Sequence, residues 1–237
     1  MLAIFQLLIL FILVQLAILA RYLVFDAFEP WAYASTFLFP IASVFLYFVS
    51  KNFKKKEENY APTNITGWSY YPKQRIFLNE KPLYKNDKKR GFIQRYFLNK
   101  WQYLIADFIS FNFYLSLKIE IDHITYLIIE EKPKLFSAQS YFIIYKNGTK
   151  IGTAKTVVNL KNSTKLKEVL QFTIQDETFE TSASTITSGI TLNKDNSKVG
   201  TLTRNHLISN VLVIDLQEER HEYLIALILH SFYFKNS

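Results

Sequence analysis

The first fifty residues leave the chain few options. Leu2 to Ala20 is an almost unbroken apolar run, carried on by Tyr22, Leu23, Val24 and Phe25 past a single Arg21. Trp31 to Val49 is a second run with no ionisable residue at all. A helix over residues 2–25 is about 36 Å long, enough to cross a hydrocarbon core of about 30 Å with some tilt. Both runs therefore predict transmembrane helices, about 2–25 and 31–49, in an antiparallel hairpin spanning residues 1–50. Pro40 predicts a kink in the second. A cleaved signal peptide fits poorly, because no basic residue precedes the first run and Ile18-Leu19-Ala20 lacks a small residue three before the cut. Gln6 and Gln15 fall on opposite helix faces and line no pore. Each is expected near a headgroup or bonded to the second helix.

Charge places this hairpin in the membrane. Residues 51–100 hold thirteen Lys and Arg against four Asp and Glu, while the loop between the runs offers only Arg21 beside Asp26 and Glu29. Basic residues gather on the cytoplasmic side of a span. The expected location is therefore the cell membrane, multi-pass, with both termini and the C-terminal domain cytoplasmic. On that topology Asn64-Ile-Thr66, Asn147-Gly-Thr149 and Asn162-Ser-Thr164 are chance matches to the glycosylation pattern. The chain has no cysteine, which excludes disulfides, thiolate zinc sites and a cysteine nucleophile.

Residues 51–110 read as a basic connector. Lys51, Lys54, Lys55, Lys56, Lys88, Lys89 and Arg90 are its charge clusters, and they are expected to meet anionic lipid headgroups rather than nucleic acid, since the hairpin holds them near the leaflet. Within the connector Phe92, Ile93, Tyr96, Phe97, Trp101, Leu104, Ile105, Phe108 and Ile109 follow a helical period, with Arg95 off the stripe. An amphipathic segment over 91–109 is expected, lying in the membrane interface or packed on the following domain.

From residue 111 the pattern becomes that of strands. Runs at about 111–121, 124–130, 140–145, 150–158, 170–175, 178–185, 189–192, 198–204 and 210–216 are short and rich in Ile, Val, Thr, Phe and Tyr, with turn signals between them. Asn147-Gly148 supplies the positive φ angles of a type I′ hairpin turn. Lys150-Ile-Gly152-Thr recurs as Lys198-Val-Gly200-Thr, and each glycine marks a bulge or a close backbone approach. A last helix over 218–234, acidic at its start, is apolar nearly all round but too short to span a bilayer, so protein must surround it.

These hairpins, Asn147-Gly148-x-Lys150-Ile151-Gly152 and Asp195-Asn196-x-Lys198-Val199-Gly200, followed by the apolar helix Tyr223–Phe234, resemble the tubby C-terminal-like superfamily, which includes the phospholipid scramblases and the LURP-one-related proteins. The resemblance covers about residues 111–237. It implies an antiparallel β-barrel of about twelve strands around a C-terminal hydrophobic helix, against the nine strands read here. The expected fold class is thus a membrane-anchored α+β chain, a two-helix hairpin followed by that barrel. Tubby binds phosphoinositides through basic side chains, none of which can be carried over to a residue here.

No local pattern demands catalysis. His123, His206, His221 and His230 form no metal-binding spacing, with His221 and His230 on opposite helix faces. Glu130-Glu131, Asp176-Glu177 and Glu218-Glu219 are adjacent pairs suited to turns and caps, and no nucleophile elbow exists. The expected function is a non-catalytic, membrane-tethered binding or regulatory module at the inner face, without a cofactor or metal. Its partners are lipid headgroups or a protein. The alternative is a subunit, accessory or immunity-type factor of a membrane assembly, recognised through the hairpin.

Overall fold

The computed structural model describes residues 2–72, 79–99, 101–102, 115–131, 139–157, 167–184, 189–205 and 210–233. It consists of an N-terminal helical region followed by a closed, twelve-stranded antiparallel β-barrel.

The helical region holds α1 (Leu2–Phe25), α2 (Pro30–Thr36) and α3 (Leu38–Glu58). Pro30 opens α2 at a position where its missing N–H is no loss. The expected kink appears as a break at Phe37. Pro40 has no N–H to give the Thr36 carbonyl, and hydrogen bonding resumes with Ile41 N–H to Phe37 O at 3.3 Å. Beyond residue 49, where the apolar run ends, α3 continues for nine more residues, carrying the lysines of 51–56 on its last turns. Gln15 Nε2 donates to Thr36 Oγ1, and Ser43 Oγ donates to the Ile4 carbonyl at 3.3 Å. Gln15, Thr36 and Ser43 are thus satisfied within the hairpin, and Arg21 closes its turn on Glu29 at 2.7 Å. Gln6–Phe25 and Pro30–Glu58 are both long and apolar enough to cross a membrane.

The barrel strands are β1 (Trp68–Tyr70), β2 (Lys81–Lys85), β3 (Lys88–Tyr96), β4 (Ser116–Ile121), β5 (Ile124–Glu130), β6 (Tyr141–Lys146), β7 (Thr149–Thr156), β8 (Lys167–Ile174), β9 (Glu177–Ser184), β10 (Ile190–Lys194), β11 (Ser197–Arg204) and β12 (Leu212–Leu216). Neighbours in sequence are neighbours in the sheet, and β1 closes it against β12 through Trp68↔Ile214 and Tyr70↔Leu212. All nine strand runs expected from the sequence correspond to β4–β12.

The barrel begins earlier than residue 111, however, because β1, β2 and β3 precede that point. The helical period assigned to 91–109 runs over β3, whose inward residues Ile93 and Arg95 alternate with outward Tyr96. Spacing of apolar residues in a short aromatic-rich stretch fits either period, and pairing with β2 and β4 decides for the strand. Positions 100 and 103–109 of that segment lie outside the described residues, as do His206, Asn162 and Phe234.

Five hairpins meet at one end of the barrel. Their turns are Asn86-Asp87, Asp122-His123, Asn147-Gly148, Gln175-Asp176 and Asp195-Asn196, and both residues of each have positive φ. That is the type I′ geometry, whose twist matches the strands it joins. Three of these hairpins carry the same bulge, with Arg90, Ile151 or Val199 as the extra residue before a glycine. At Gly152 a Cβ would lie 2.3 Å from the Thr173 carbonyl oxygen of β8, and at Gly91 it would lie 1.7 Å from that of Glu120 in β4. Glycine is required there by the neighbouring backbone. The longer connections all fall at the opposite end.

The last helix, α4 (His221–Tyr233), starts at the turn end, three residues later than expected, after Glu218-Glu219-Arg220. It is not part of the hydrogen-bonded barrel wall. Every residue from Glu222 to Phe232 is buried, and Tyr223 to Leu229 are 0% exposed. These side chains share one core with Leu117, Ile128, Phe142, Phe172, Leu192 and Ile214 from strands around the barrel. Burying each large apolar side chain contributes about 1.5–3 kcal/mol, so α4 is a main source of stability.

Candidate functional site at the junction of helix and barrel

The two parts of the chain meet through a buried polar cluster. Glu57, in the last turn of α3, is 0% exposed, and Lys81, the first residue of β2, is 1% exposed. Lys81 Nζ lies 3.3 Å from Glu57 Oε2 and donates to Asn79 Oδ1 at 3.1 Å, while Asn79 Nδ2 donates to Glu57 Oε2 at 3.1 Å. The triangle leaves each charge paired and hydrogen-bonded, the condition under which burial of ions is tolerated. Burial pushes the Lys81 ammonium below the usual lysine range, against the opposing pull of Glu57. After α3 the chain is held along the barrel by Tyr60, which stacks on Tyr71 at 5.8 Å and meets Tyr84 edge-on at 5.7 Å.

The turn end is polar and charged. Around the start of α4, Arg220 Nη1 lies 2.6 Å from Glu177 and Lys194 Nζ 3.3 Å from the same carboxylate. Lys146 reaches Glu222 at 3.6 Å, Lys85 pairs with Glu219, and Arg90 meets Asp122 at 2.8 Å. Acidic Glu222 in the first turn of α4 favours the helix dipole. His221 Nδ1 is 3.3 Å from the Tyr126 hydroxyl and its Nε2 is 3.8 Å from Asp122. Burial lowers the His221 pKa despite Asp122 and Glu222, and burial with Glu222 pushes Tyr126 up to about 12. His230 is wholly buried, with Nδ1 2.7 Å from Thr181 Oγ1, and burial lowers its pKa to about 3. Among the described residues no three His, Asp or Glu side chains are grouped to hold a metal ion.

A family model described as Tubby C-terminal like domain matches residues 71–236 of the 237. The chain belongs to that family. No curated protein and no solved structure matches it. The tubby-like match starts near β1 rather than at residue 111, in agreement with the twelve strands.

The tubby-like barrel separates the basic residues singled out from the sequence. Lys51, Lys54, Lys55 and Lys56 are exposed on the last turns of α3, with Lys54 only loosely paired to Glu58 at 3.7 Å. Lys88, Lys89 and Arg90 are exposed at the start of β3, at the turn end. Since Lys81 pairs with Ile93, Lys88 stands five residues along β3 from the level of the Glu57–Lys81 pair, about 16 Å away. Arg95 is only 9% exposed, with its guanidinium 4.8 Å from the Phe97 ring centroid, so it belongs to the interior. Sequence reasoning missed Glu57, Asn79 and Lys81. Glu57 stood inside a run of solvated charges and Lys81 inside a basic block, and nothing in their spacing links residues 24 apart. The β2–β3 hairpin had a findable signal. Asn86-Asp87-Lys88-Lys89-Arg90-Gly91 repeats the pattern of Asn147–Gly152 and Asp195–Gly200.

Proposed function

We propose that the chain is a non-catalytic, membrane-tethered binding module whose tubby-like barrel works at the inner face of the membrane on lipid headgroups or a protein. Membership of the tubby-like family over residues 71–236 is the observation that carries this reading. The two N-terminal helices supply the tether. Leu13, Leu16, Leu19, Leu23, Ile41, Val44 and Phe45 on them are exposed by more than half, which suits lipid and not water. The lysines of α3 set the inner-face orientation. In this reading α4 is the axial core of the barrel: a helix with no exposed face needs wall on every side, and it is bonded to Tyr70 of β1 and Thr181 of β9 and meets Phe142 of β6 edge-on. A barrel filled in this way leaves its outer surface for binding.

The test is co-sedimentation of residues 51–237 with anionic vesicles. Salt-sensitive binding that is lost on replacing Lys54, Lys55 and Lys56 with Gln supports headgroup recognition by the end of α3, whereas loss only on replacing Lys88, Lys89 and Arg90 would bring the turn end to the membrane instead. Absence of binding at low salt removes the lipid arm and leaves the protein partner. A second reading, a subunit recognised through its hairpin, is favoured by a cleft of about 840 Å³ lined by Phe11, Gln15, Leu19, Tyr22, Phe28 and Tyr33. Exchanging residues 1–50 for an unrelated two-helix anchor separates the two, because only the binding module keeps its activity.

A further inference from the structure

The two ends of the barrel differ in chemistry, and the difference matches where α3 is attached. At the turn end all ten turn residues are Asn, Asp, His, Gln or Gly, and the ion pairs of Lys85, Arg90, Lys146, Lys194 and Arg220 surround the start of α4. At the opposite end, among the described residues, exposed apolar side chains stand beside exposed polar ones such as Glu80, Asn99 and Glu131. Outside the helical region, the exposed large apolar residues among those described are Tyr96 at 36%, Leu98 at 55%, Trp101 at 49% and Tyr141 at 43%. Tyr96 is the last residue of β3, Leu98 and Trp101 follow it in the β3–β4 connection, and Tyr141 is the first residue of β6. By the alternation of an up-and-down barrel, all four lie at the loop end. Lys81, where α3 docks through Glu57, is the first residue of β2 and lies at that end as well.

Single exposed apolar residues are ordinary on a protein surface. Four confined to one end, three of them Tyr or Trp, at the end that receives a membrane helix, are not a random scatter. Tyr and Trp prefer the headgroup layer, where an apolar ring and a polar edge are both accommodated. We infer that the loop end of the barrel rests on the bilayer that holds the hairpin, with Tyr96, Leu98, Trp101 and Tyr141 seated in its interfacial layer and the charged turn end facing the aqueous phase. The Glu57–Asn79–Lys81 cluster fixes this attitude, because it joins α3 to the barrel wall without a flexible linker. The surface presented to soluble partners is then the turn end and the flanks. The inference rests on the tethered reading above and adds to it a defined orientation.

The absence of cysteine makes the test direct, since any introduced cysteine is the sole labelling site. Full-length chains carrying Leu98→Cys or Tyr141→Cys, Asp176→Cys or Asn196→Cys, and Val44→Cys are spin-labelled in phosphatidylcholine–phosphatidylglycerol vesicles. Accessibility to oxygen and to a water-soluble nickel chelate is then compared. The replaced side chains at the two barrel ends are exposed, and unchanged thermal melting confirms each fold. Labels at 98 and 141 are expected to favour oxygen several-fold over those at 176 and 196, approaching the label at 44. Equal chelate access at both ends, with 44 still protected, would overturn the orientation and leave the tether standing. Chelate access at 44 would overturn the tether and the inference together. Protection of 98 and 141 in native membranes but not in pure lipid would overturn it in favour of a protein covering that end.

Discussion

The helices α1 and α4 are both apolar almost all round, yet they have opposite surroundings. In α1 the long apolar window is 0% buried, whereas Tyr223 to Leu229 of α4 are 0% exposed. Composition does not separate them. Length does: 24 residues can span a bilayer, and 13 cannot, so the shorter helix needs a protein shell. Polar content agrees. In α4, His230 and Ser231 bond to Thr181 and Tyr70 of the barrel, while in the hairpin Gln15 and Ser43 bond only to the partner helix.

Charge inserted into each helix is the harshest way to break this contrast. Leu227→Asp buries an unpaired carboxylate at a cost of more than about 5 kcal/mol, comparable with the whole stability of a domain, and aggregated or degraded protein is expected on expression. Leu13→Asp should leave the melting of the barrel unchanged while weakening insertion by about 2.5–3.5 kcal/mol, read as protein released from washed membranes. A melting loss in both variants would mean that the two helices share one core.

The junction between the two regions comes next. Glu57→Ala strands the Lys81 ammonium in the interior and should destabilise the chain by about 3–5 kcal/mol in denaturant melts, whereas Glu57→Met with Lys81→Met should recover most of it. An unchanged midpoint in Glu57→Ala would detach α3 from the barrel.

Acid tests the interior of α4 without substituting it. The pKa of His230 is lowered in the folded state to about 3 from 6.5, and that of His221 is lowered as well. Between pH 6.5 and about 3 the unfolded chain therefore binds more protons, and stability falls as pH falls. The slope is about 1.4 kcal/mol per pH unit for each fully shifted group. His230→Gln should flatten the urea-midpoint profile over that window, and an unflattened profile would place the effect elsewhere. The smallest effect is expected from Lys54, Lys55 and Lys56→Gln, whose barrel stability should change by less than about 0.5 kcal/mol. Their orientation in the membrane should nevertheless become mixed.

Much of this was legible in the sequence because it rests on local rules. The two apolar runs, the nine strands β4–β12 and the bulge glycines at 152 and 200 follow from period, turn chemistry and close approach. The first three strands were hidden by their own residues. Lys88-Lys89-Arg90 has the composition of a membrane-binding cluster, although Asn86, Asp87 and Gly91 around it spell the same turn and bulge as Asn147–Gly152. Glu57 and Lys81 were not legible, since a pair formed across two elements leaves no trace in spacing. The loop-end surface was half visible. Tyr96 and Trp101 stood on one apolar stripe, expected in the membrane interface or packed on the following domain, and Tyr141 joins them only once the barrel closes.

Protease access reports most directly on whether the barrel hangs from the inner face of a membrane. Full-length protein is digested in intact cells and in inverted membrane vesicles, and the fragments are followed with an antibody to the C-terminal domain. Residues 51–237 should resist protease added outside intact cells and be cut in inverted vesicles. Cleavage of the barrel from outside intact cells would contradict the orientation, and with it the lipid and partner surfaces assigned to the inner face.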